Sequence, residues 1–318
     1  MNKAQTRFME EIAKKYGENT IMTASDLKDE RISTGLFSVD YLIGGGWPRG
    51  RWSMVYGPRG GGKTTFLLKT VGSLQKEGGS VLFIDYERGQ TTEWMKIQGV
   101  DTDELLWCKP STCEEGLSIL MEAIDSRLVD LVIIDSVTGM LTRAERDRSI
   151  DDESIALQAR KLSQFLRMYT DRLDKSGIPV IFTSQVRTDI NTYGAPEGPT
   201  SGQALLHYAS IIMKVRRSNY SERKERDRGY LFTVSMAIKS KICTFSNEEI
   251  KIDFSYTGGI NESHDLFLYG LKTGIIGNPA SGTYEIGETK VRGVNAAIRY
   301  IEENPDVKDW IQSPDTNK

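Results

Sequence analysis

Cysteine and histidine are scarce. The three thiols, Cys108, Cys113 and Cys243, are odd in number, and they show no metal-ligand spacing with His207 or His264. A disulfide-stapled scaffold and a zinc ribbon are thereby excluded, and the cysteines read as reduced, mostly buried thiols of a cytosolic protein. No apolar run approaches the ~20 residues of a membrane span. The opening residues Met1-Asn2-Lys3-Ala4-Gln5 lack the apolar core of a signal peptide. Internal repeats and low-complexity segments are missing as well. Neither charge sign is in excess: 41 Lys+Arg against 44 Asp+Glu leave a net charge of −3. That balance does not advertise nucleic-acid binding, but local basic patches, not net charge, make phosphate contacts.

What is present is an ordinary globular composition, 38% hydrophobic and 27% charged over 318 residues. It suggests about two domains, or one large core with appendages. The most informative stretch is Gly57-Pro58-Arg59-Gly60-Gly61-Gly62-Lys63-Thr64. It follows the apolar run Trp52–Tyr56 and leads into Thr65-Phe66-Leu67-Leu68. Strand, glycine-rich turn and helix in that order fit GxxxxGK[ST], the phosphate-binding loop. Glycines let backbone N–H groups curl around a phosphate, and the following helix N-terminus adds its positive dipole end. Lys63 is then placed to reach the β- and γ-phosphates, and the Thr64 hydroxyl to ligate Mg²⁺. The motif implies binding of a nucleoside triphosphate.

Ahead of it, Phe8, Ile12, Ala13 and Tyr16 recur at helical spacing and Gly17 marks a stop. This helix either packs on its own domain or forms an arm docking on a neighbouring subunit. From Gly35 onward apolar runs recur at Ser80–Asp85, Asp130–Asp135, Pro179–Ser184, Ser210–Val215, Leu231–Ile238 and Ile250–Phe254, with helical stretches between the early ones. The pattern predicts a mostly parallel α/β sheet with helices on both faces, gaining antiparallel edge strands late in the chain. The mixed-charge segment Lys214–Arg228 reads as a solvated hairpin tip or as a phosphate-contacting patch. After Gly258-Gly259 the run Leu266–Leu271, an Ala/Gly-rich turn and a helix around Asn295–Glu303 suggest a small C-terminal domain. The expected division is 1–33 as helix and linker, 34–260 as the nucleotide-binding core and 261–318 as the C-terminal domain.

Two acids fall where triphosphate hydrolysis needs them. The strand Leu131–Ile134 ends in Asp135, the Walker-B arrangement, beside which Thr64 can share the Mg²⁺ shell. The strand Leu82–Asp85 is followed by Glu87, a candidate base for the attacking water, although an acid there is often only a helix cap. A third strand, Val180–Ser184, precedes Gln185, whose amide can report an occupied γ-phosphate. In an open α/β sheet these strand ends converge on one crevice.

The ordered series resembles the RecA-family recombinases nearly end to end. It runs through Ile32-Ser33-Thr34-Gly35, the loop Gly57–Thr65, Phe83-Ile84-Asp85-x-Glu87, Val129-Asp130 with Asp135-Ser136-Val137, and Ser184-Gln185-Val186-Arg187. It continues in Gly202-x-Ala204-Leu205-x-x-Tyr208-Ala209-Ser210, Ile238-Lys239-x-Lys241-Ile242 and Gly259-Ile260-Asn261. The resemblance implies a RecA-like P-loop core that hydrolyses ATP with Mg²⁺. By position it makes Glu87 the catalytic glutamate, Gln185 the link from γ-phosphate to DNA, and Trp94 the aromatic stacked on adenine. Lys239 and Lys241 resemble the pair reaching a neighbouring subunit's γ-phosphate; on the residues alone, Lys-x-Lys reads as a solvated strand edge.

Segments Thr142–Ile155 and Arg187–Gln203 resemble the family's two DNA-binding loops. Arg143, Arg146, Arg148 and Arg187 would neutralise phosphates, Ile155 and Ile190 would wedge between bases, and Tyr193 lies in the second loop. The family further implies single-stranded DNA and homologous duplex DNA as partners, self-association into helical filaments, and a single-strand-binding protein and a loader. The setting would be the cytoplasm of a bacterial or phage-infected cell. A ring-forming helicase motor and an ATP-binding recombination mediator remain as alternatives. Several features depart from the usual bacterial pattern. His207 stands where phenylalanine is common, Arg59-Gly60-Gly61 replaces Glu-Ser-Ser, the second loop is slightly shortened and a long acidic tail is missing. These point to a divergent relative of a kind that a phage would encode.

Overall fold

The computed structural model describes residues 2–17, 20–27, 29–147, 157–187, 198–199, 202–217, 230–242, 248–255 and 257–313. The chain divides into two compact units, Met1–Glu30 and Arg31–Lys318. In the first, helix α1 (Lys3–Tyr16) starts at Asn2, whose side chain accepts the Gln5 N–H while the Gln5 side chain accepts the Asn2 N–H. Gly17, at φ 105°, ends it, as the sequence predicts. None of its residues is buried.

The second unit opens with β1 (Arg31–Ile32), α2 (Phe37–Ile43) and β2 (Trp47–Pro48). It continues through β3 (Trp52–Gly57), α3 (Lys63–Lys76), β4 (Val81–Asp85), α4 (Thr92–Ile97), β5 (Leu106–Cys108), α5 (Cys113–Ser126) and β6 (Leu131–Asp135). Then come α6 (Arg143–Arg146), α7 (Leu157–Ser176), β7 (Val180–Arg187), β8 (Gly198–Pro199), α8 (Gly202–Tyr208), β9 (Ile211–Arg217), β10 (Tyr230–Ser240), β11 (Glu249–Ser255) and β12 (Gly259–Ile260). The chain closes with α9 (Glu262–Thr273), β13 (Ile276–Ala280), β14 (Thr283–Ile286), β15 (Thr289–Arg292), α10 (Val294–Glu303) and α11 (Pro305–Gln312).

The main sheet runs β12-β11-β10-β9-β3-β7-β6-β4-β5. From β9 to β5 the neighbours are parallel, whereas β10, β11 and β12 each add antiparallel. The expected parallel core with late antiparallel edge strands is therefore observed. Strands buried on both faces explain the unbroken apolar runs. Val55, Phe83, Ile133, Ile181 and Met213 point to one core, shared with α2 and α3. Their sequence neighbours Met54, Ile84, Val132, Phe182 and Ile212 point to the other, shared with α5 and α7.

The segment after Asn261 differs in detail from the sequence reading. The run Leu266–Leu271 lies within α9, and the stretch read as an Ala/Gly-rich turn carries the three-stranded sheet β13-β14-β15. Short strands built from residues such as Gly277, Asn278 and Pro279 give almost no alternating signal. Leu266, Phe267, Ile286, Ala297 and Ile301 form the local core. The N-terminus of α2 lacks a side-chain cap from its own segment. Asp265 of α9 takes that place: its Oδ2 accepts the Phe37 N–H at 2.7 Å, and its Oδ1 accepts the Ser38 N–H at 3.1 Å and the Ser38 hydroxyl. Among the described residues, no helix is long and apolar enough to cross a membrane.

Candidate active site

β3 delivers the phosphate-binding loop to the middle of the sheet, between β7 and β9. Gly57 has to be glycine, because a Cβ there would lie 1.9 Å from the Val215 carbonyl oxygen. Gly62, the residue before α3, sits at φ 94°, a conformation that side chains disfavour. The first turn of α3 carries no acid, so its N-terminal amides and dipole face the loop unopposed. Lys63 is 7% exposed and its Nζ donates to the carbonyls of Gly57 (3.2 Å) and Pro58 (3.1 Å). Burial pulls its pKa below the ordinary lysine value, and the negative charges of Asp135 and Glu87 partly restore it.

Asp135, 2% exposed at the end of β6, is the hub. Its Oδ2 accepts the Thr64 hydroxyl and its Oδ1 the Thr183 hydroxyl, both at 2.5 Å. Burial raises its pKa to about 6, against the pull of those two hydroxyls. A carboxylate beside a hydroxyl is the hard oxygen set that Mg²⁺ takes, and the chain brings both together next to a glycine cradle and a lysine. The residues fit a magnesium–nucleotide pair.

The turn after β4 is fixed by Asp85, whose Oδ1 accepts the N–H groups of Glu87 (2.9 Å) and Arg88 (2.8 Å). Its buried Oδ2 has no hydrogen-bond partner. The turn presents Glu87 at the surface beside the hub. There its Oε1 accepts the Ser136 hydroxyl at 2.7 Å and the Gln185 amide at 3.3 Å, while the Gln185 N–H donates to the Thr138 hydroxyl at 3.1 Å. Lys63, Thr64, Asp135, Glu87 and Gln185 are thus brought together. Thr183, Ser136 and Thr138 were missed as site residues. Only Ser136 left a signal, as the neighbour of Asp135; the other two act through hydroxyls that no spacing rule marks.

The other expected residues make contacts of their own. Trp94, on α4, packs edge-on against Phe254 with ring centroids 5.4 Å apart. β10 ends at Ser240, so Lys239 is in the strand and Lys241 lies beyond it; the two do not alternate along one strand. The Lys241 Nζ donates to the His207 carbonyl at 2.6 Å, at the C-terminal end of α8. The first expected DNA loop begins as a helical turn, α6, capped by Thr142 and Glu145. Arg143 and Arg146 on it are exposed, and the Arg146 guanidinium contacts Asp147 at 3.0 Å. Arg187 closes β7. Arg148, Ile155, Ile190 and Tyr193, the core of segment 214–228 and Cys243 lie outside the described residues. Of the other thiols, Cys113 is buried and Cys108 half-buried. Among the described residues no cluster of His, Cys, Asp and Glu could hold a metal by itself.

Compared with known proteins, residues 3–261 match the family described as the RecA N-terminal domain. Curated relatives that carry the name Protein RecA include three bacterial ones. The chain is 36% identical over 315 residues to the one from Synechococcus elongatus, covering 98% of this chain and 88% of that protein. Against Acidothermus cellulolyticus the identity is 36% over 316 residues, 98% and 91% respectively. Against Nostoc punctiforme it is 35% over 314 residues, 98% and 87%.

Proposed function

The chain belongs to the RecA family, and from that premise we propose that it is a DNA-dependent ATPase that assembles on single-stranded DNA. It promotes homologous pairing and strand exchange in the bacterial or phage-infected cytoplasm. In this reading the backbone amides of Gly60–Lys63 and the Lys63 ammonium hold the phosphates, and Asp135 with Thr64 holds Mg²⁺. ATP with Mg²⁺ supplies the reactive phosphoanhydride and the charge neutralisation around it. Glu87 orients and deprotonates the attacking water, Trp94 lines the adenine, and Thr183 keeps Asp135 in place.

Gln185 exchanges its bond to Glu87 for one to the γ-phosphate, which frees the carboxylate and repositions the segment after β7. Lys241 likewise leaves the His207 carbonyl when a neighbouring subunit's nucleotide comes within reach, joined by Lys239. Both switches make turnover depend on assembly. Arg143, Arg146, Arg148 and Arg187 neutralise DNA phosphates, with Ile155, Ile190 and Tyr193 against the bases, so binding weakens with salt. Segment 1–33 serves as the assembly arm, 34–260 as the motor and 261–318 as a small accessory domain.

The observation that carries this reading is the contact of Gln185 with Glu87 beside Asp135. It ties Gln185, near the end of β7, to the carboxylate to which this reading gives the hydrolytic role. The test is ATP hydrolysis with and without single-stranded DNA, beside Lys63→Ala, followed by strand exchange. Stimulation that vanishes in the variant, with exchange of strands, is expected. ATP binding without stimulated turnover overturns the motor in favour of a mediator; unwinding of forked DNA without pairing overturns it in favour of a helicase.

A further inference from the structure

The residue before Glu87 is built into the molecule more firmly than Glu87 itself. Glu87 is exposed, whereas Tyr86 is half-buried and packs against the core shared with α5 and α7. The Tyr86 N–H donates to the Asp135 carbonyl at 2.7 Å, and the Glu87 N–H donates to the same oxygen at 3.3 Å. The phenol crosses to the first turn of α5, where its hydroxyl donates to the Thr112 carbonyl at 3.1 Å. Burial pushes the phenol pKa above its ordinary value, so the hydroxyl stays a donor.

Two glycines make room for this side chain. A Cβ on Gly116 would lie 1.9 Å from the Tyr86 hydroxyl oxygen and 2.9 Å from the ring carbon that bears it. A Cβ on Gly139 would lie 3.2 Å from the Tyr86 Cβ. Gly116 belongs to α5, and Gly139 ends the short 3₁₀ turn that follows β6. Tyr86 is therefore held at both ends, by its ring tip on α5 and by its backbone on β6. In a close-packed setting the placement of Glu87 follows that of its neighbour.

The same turn of α5 also grips the segment after β6. The Cys113 N–H donates to the Leu141 carbonyl at 2.7 Å. The Glu114 Oε2 accepts the N–H of Arg143, the first residue of α6, at 3.0 Å, and its Oε1 meets the Lys161 ammonium of α7 at 3.1 Å. Burial pushes the Glu114 carboxyl up, but the Arg143 N–H, its own N–H and Lys161 more than offset it. The stretch Thr112–Gly116 thus touches Tyr86 on one side and both α6 and α7 on the other.

We propose that Tyr86 is a positioning residue for Glu87, and that Glu114 makes the seat of the tyrosine depend on α6. When Arg143 and Arg146 meet DNA phosphates, any shift of α6 passes through Glu114 to the first turn of α5 and so to Tyr86. Hydrolysis then responds to DNA from this side as well as through Gln185. The link to hydrolysis rests on the function proposed above for Glu87 and α6. The mechanical link from Glu114 to the turn after β4 does not.

The test is hydrogen exchange of the full chain followed by mass spectrometry, beside ATP hydrolysis. Tyr86→Phe keeps the ring and loses the bond to Thr112, whereas Glu114→Ala loses the contacts with Arg143 and Lys161. Each should speed exchange of the amides of residues 86–88 about threefold or more, with those of β3 unchanged. Glu114→Gln still offers the Arg143 N–H an oxygen and should restore most of the protection. Turnover with single-stranded DNA should fall about three- to tenfold in Tyr86→Phe and in Glu114→Ala, and no further in the double variant. The KM for ATP should stay within about twofold of the parent. Should Tyr86→Phe fail to fold, the two Glu114 variants decide. Unchanged exchange at residues 86–88 in Glu114→Ala overturns the proposal, as does faster exchange spread over every strand, which is mere loss of stability. Losses that multiply in the double variant overturn it too, because the two residues would then act independently. A parent without DNA-stimulated turnover overturns the function proposed above, and the exchange rates still decide whether Glu114 seats Tyr86.

Discussion

Replacing Asp265 by alanine removes the carboxylate that accepts from the first two residues of α2. Three hydrogen bonds are lost, from the Phe37 N–H, the Ser38 N–H and the Ser38 hydroxyl. At about 1 kcal/mol net each, less the relief of not burying a charge, the cost at neutral pH is about 2 kcal/mol. The pH dependence is more diagnostic. Burial raises the Asp265 pKa from 3.8 to about 6, partly opposed by Ser38 and Phe37 and assisted by the charge of Asp40. A carboxyl whose folded pKa is raised binds a proton more tightly in the native state than in the unfolded one. Its contribution to stability is therefore fullest below pH 4 and is lost as pH climbs through 6. The full span is about 3 kcal/mol, of which about 2 kcal/mol falls between pH 4.5 and pH 7.5. Urea denaturation of both proteins at those two pH values, followed by tryptophan fluorescence, measures the difference. The alanine variant should be about 2 kcal/mol worse off at pH 7.5 and about 4 kcal/mol at pH 4.5. A penalty that grows towards pH 7.5 would refute the argument, because it would mean that the donors of α2 hold the carboxyl ionised despite burial.

Three further outcomes follow from the same contacts. Gly57→Ala drives a Cβ into the Val215 carbonyl, so a loss of about 3 kcal/mol or more is expected, with nucleotide binding abolished; a melt within 2 °C of the parent contradicts it. Thr183→Val strips one donor from Asp135; stability should fall by about 1–2 kcal/mol, and hydrolysis should need more Mg²⁺, whereas no change in either assigns Asp135's orientation to Thr64 alone. Arg143→Ala with Arg146→Ala should flatten the salt dependence of single-stranded DNA binding by about 0.7 in log–log slope per arginine, read by anisotropy, and an unaltered slope removes both from the interface.

The glycine loop, the strand-end acids and the parallel core were legible because each obeys a short-range rule. GxxxxGK[ST] fixes local backbone, and buried strands such as Leu131–Asp135 are apolar throughout. The contacts that complete the site obey none. Thr183 and Asp135 come from adjacent strands, 48 residues apart, and Asp265 caps a helix 228 residues before it. The small sheet β13-β14-β15 was missed because its first strand is Ile-Gly-Asn-Pro-Ala, a composition that reads as a turn. Lys241 was expected in the strand beside Lys239, but β10 stops one residue short of it, and a strand end is set by its partner, here the irregular register with β9.

The position of β3 bears on how the protein is made. Both of its neighbours in the sheet, β7 and β9, come late in the chain, and the carbonyl that crowds Gly57 belongs to Val215. On a ribosome adding 5–20 residues per second, the stretch from Gly57 to Arg217 takes roughly 8–32 s to appear. Until β7 emerges, the nascent chain carries a complete phosphate-loop sequence with neither of its flanking strands beside it. A fragment cut short before β9 therefore lacks one of the two strands that flank the cradle, and the crowding that makes residue 57 a glycine arises only once Val215 is in place.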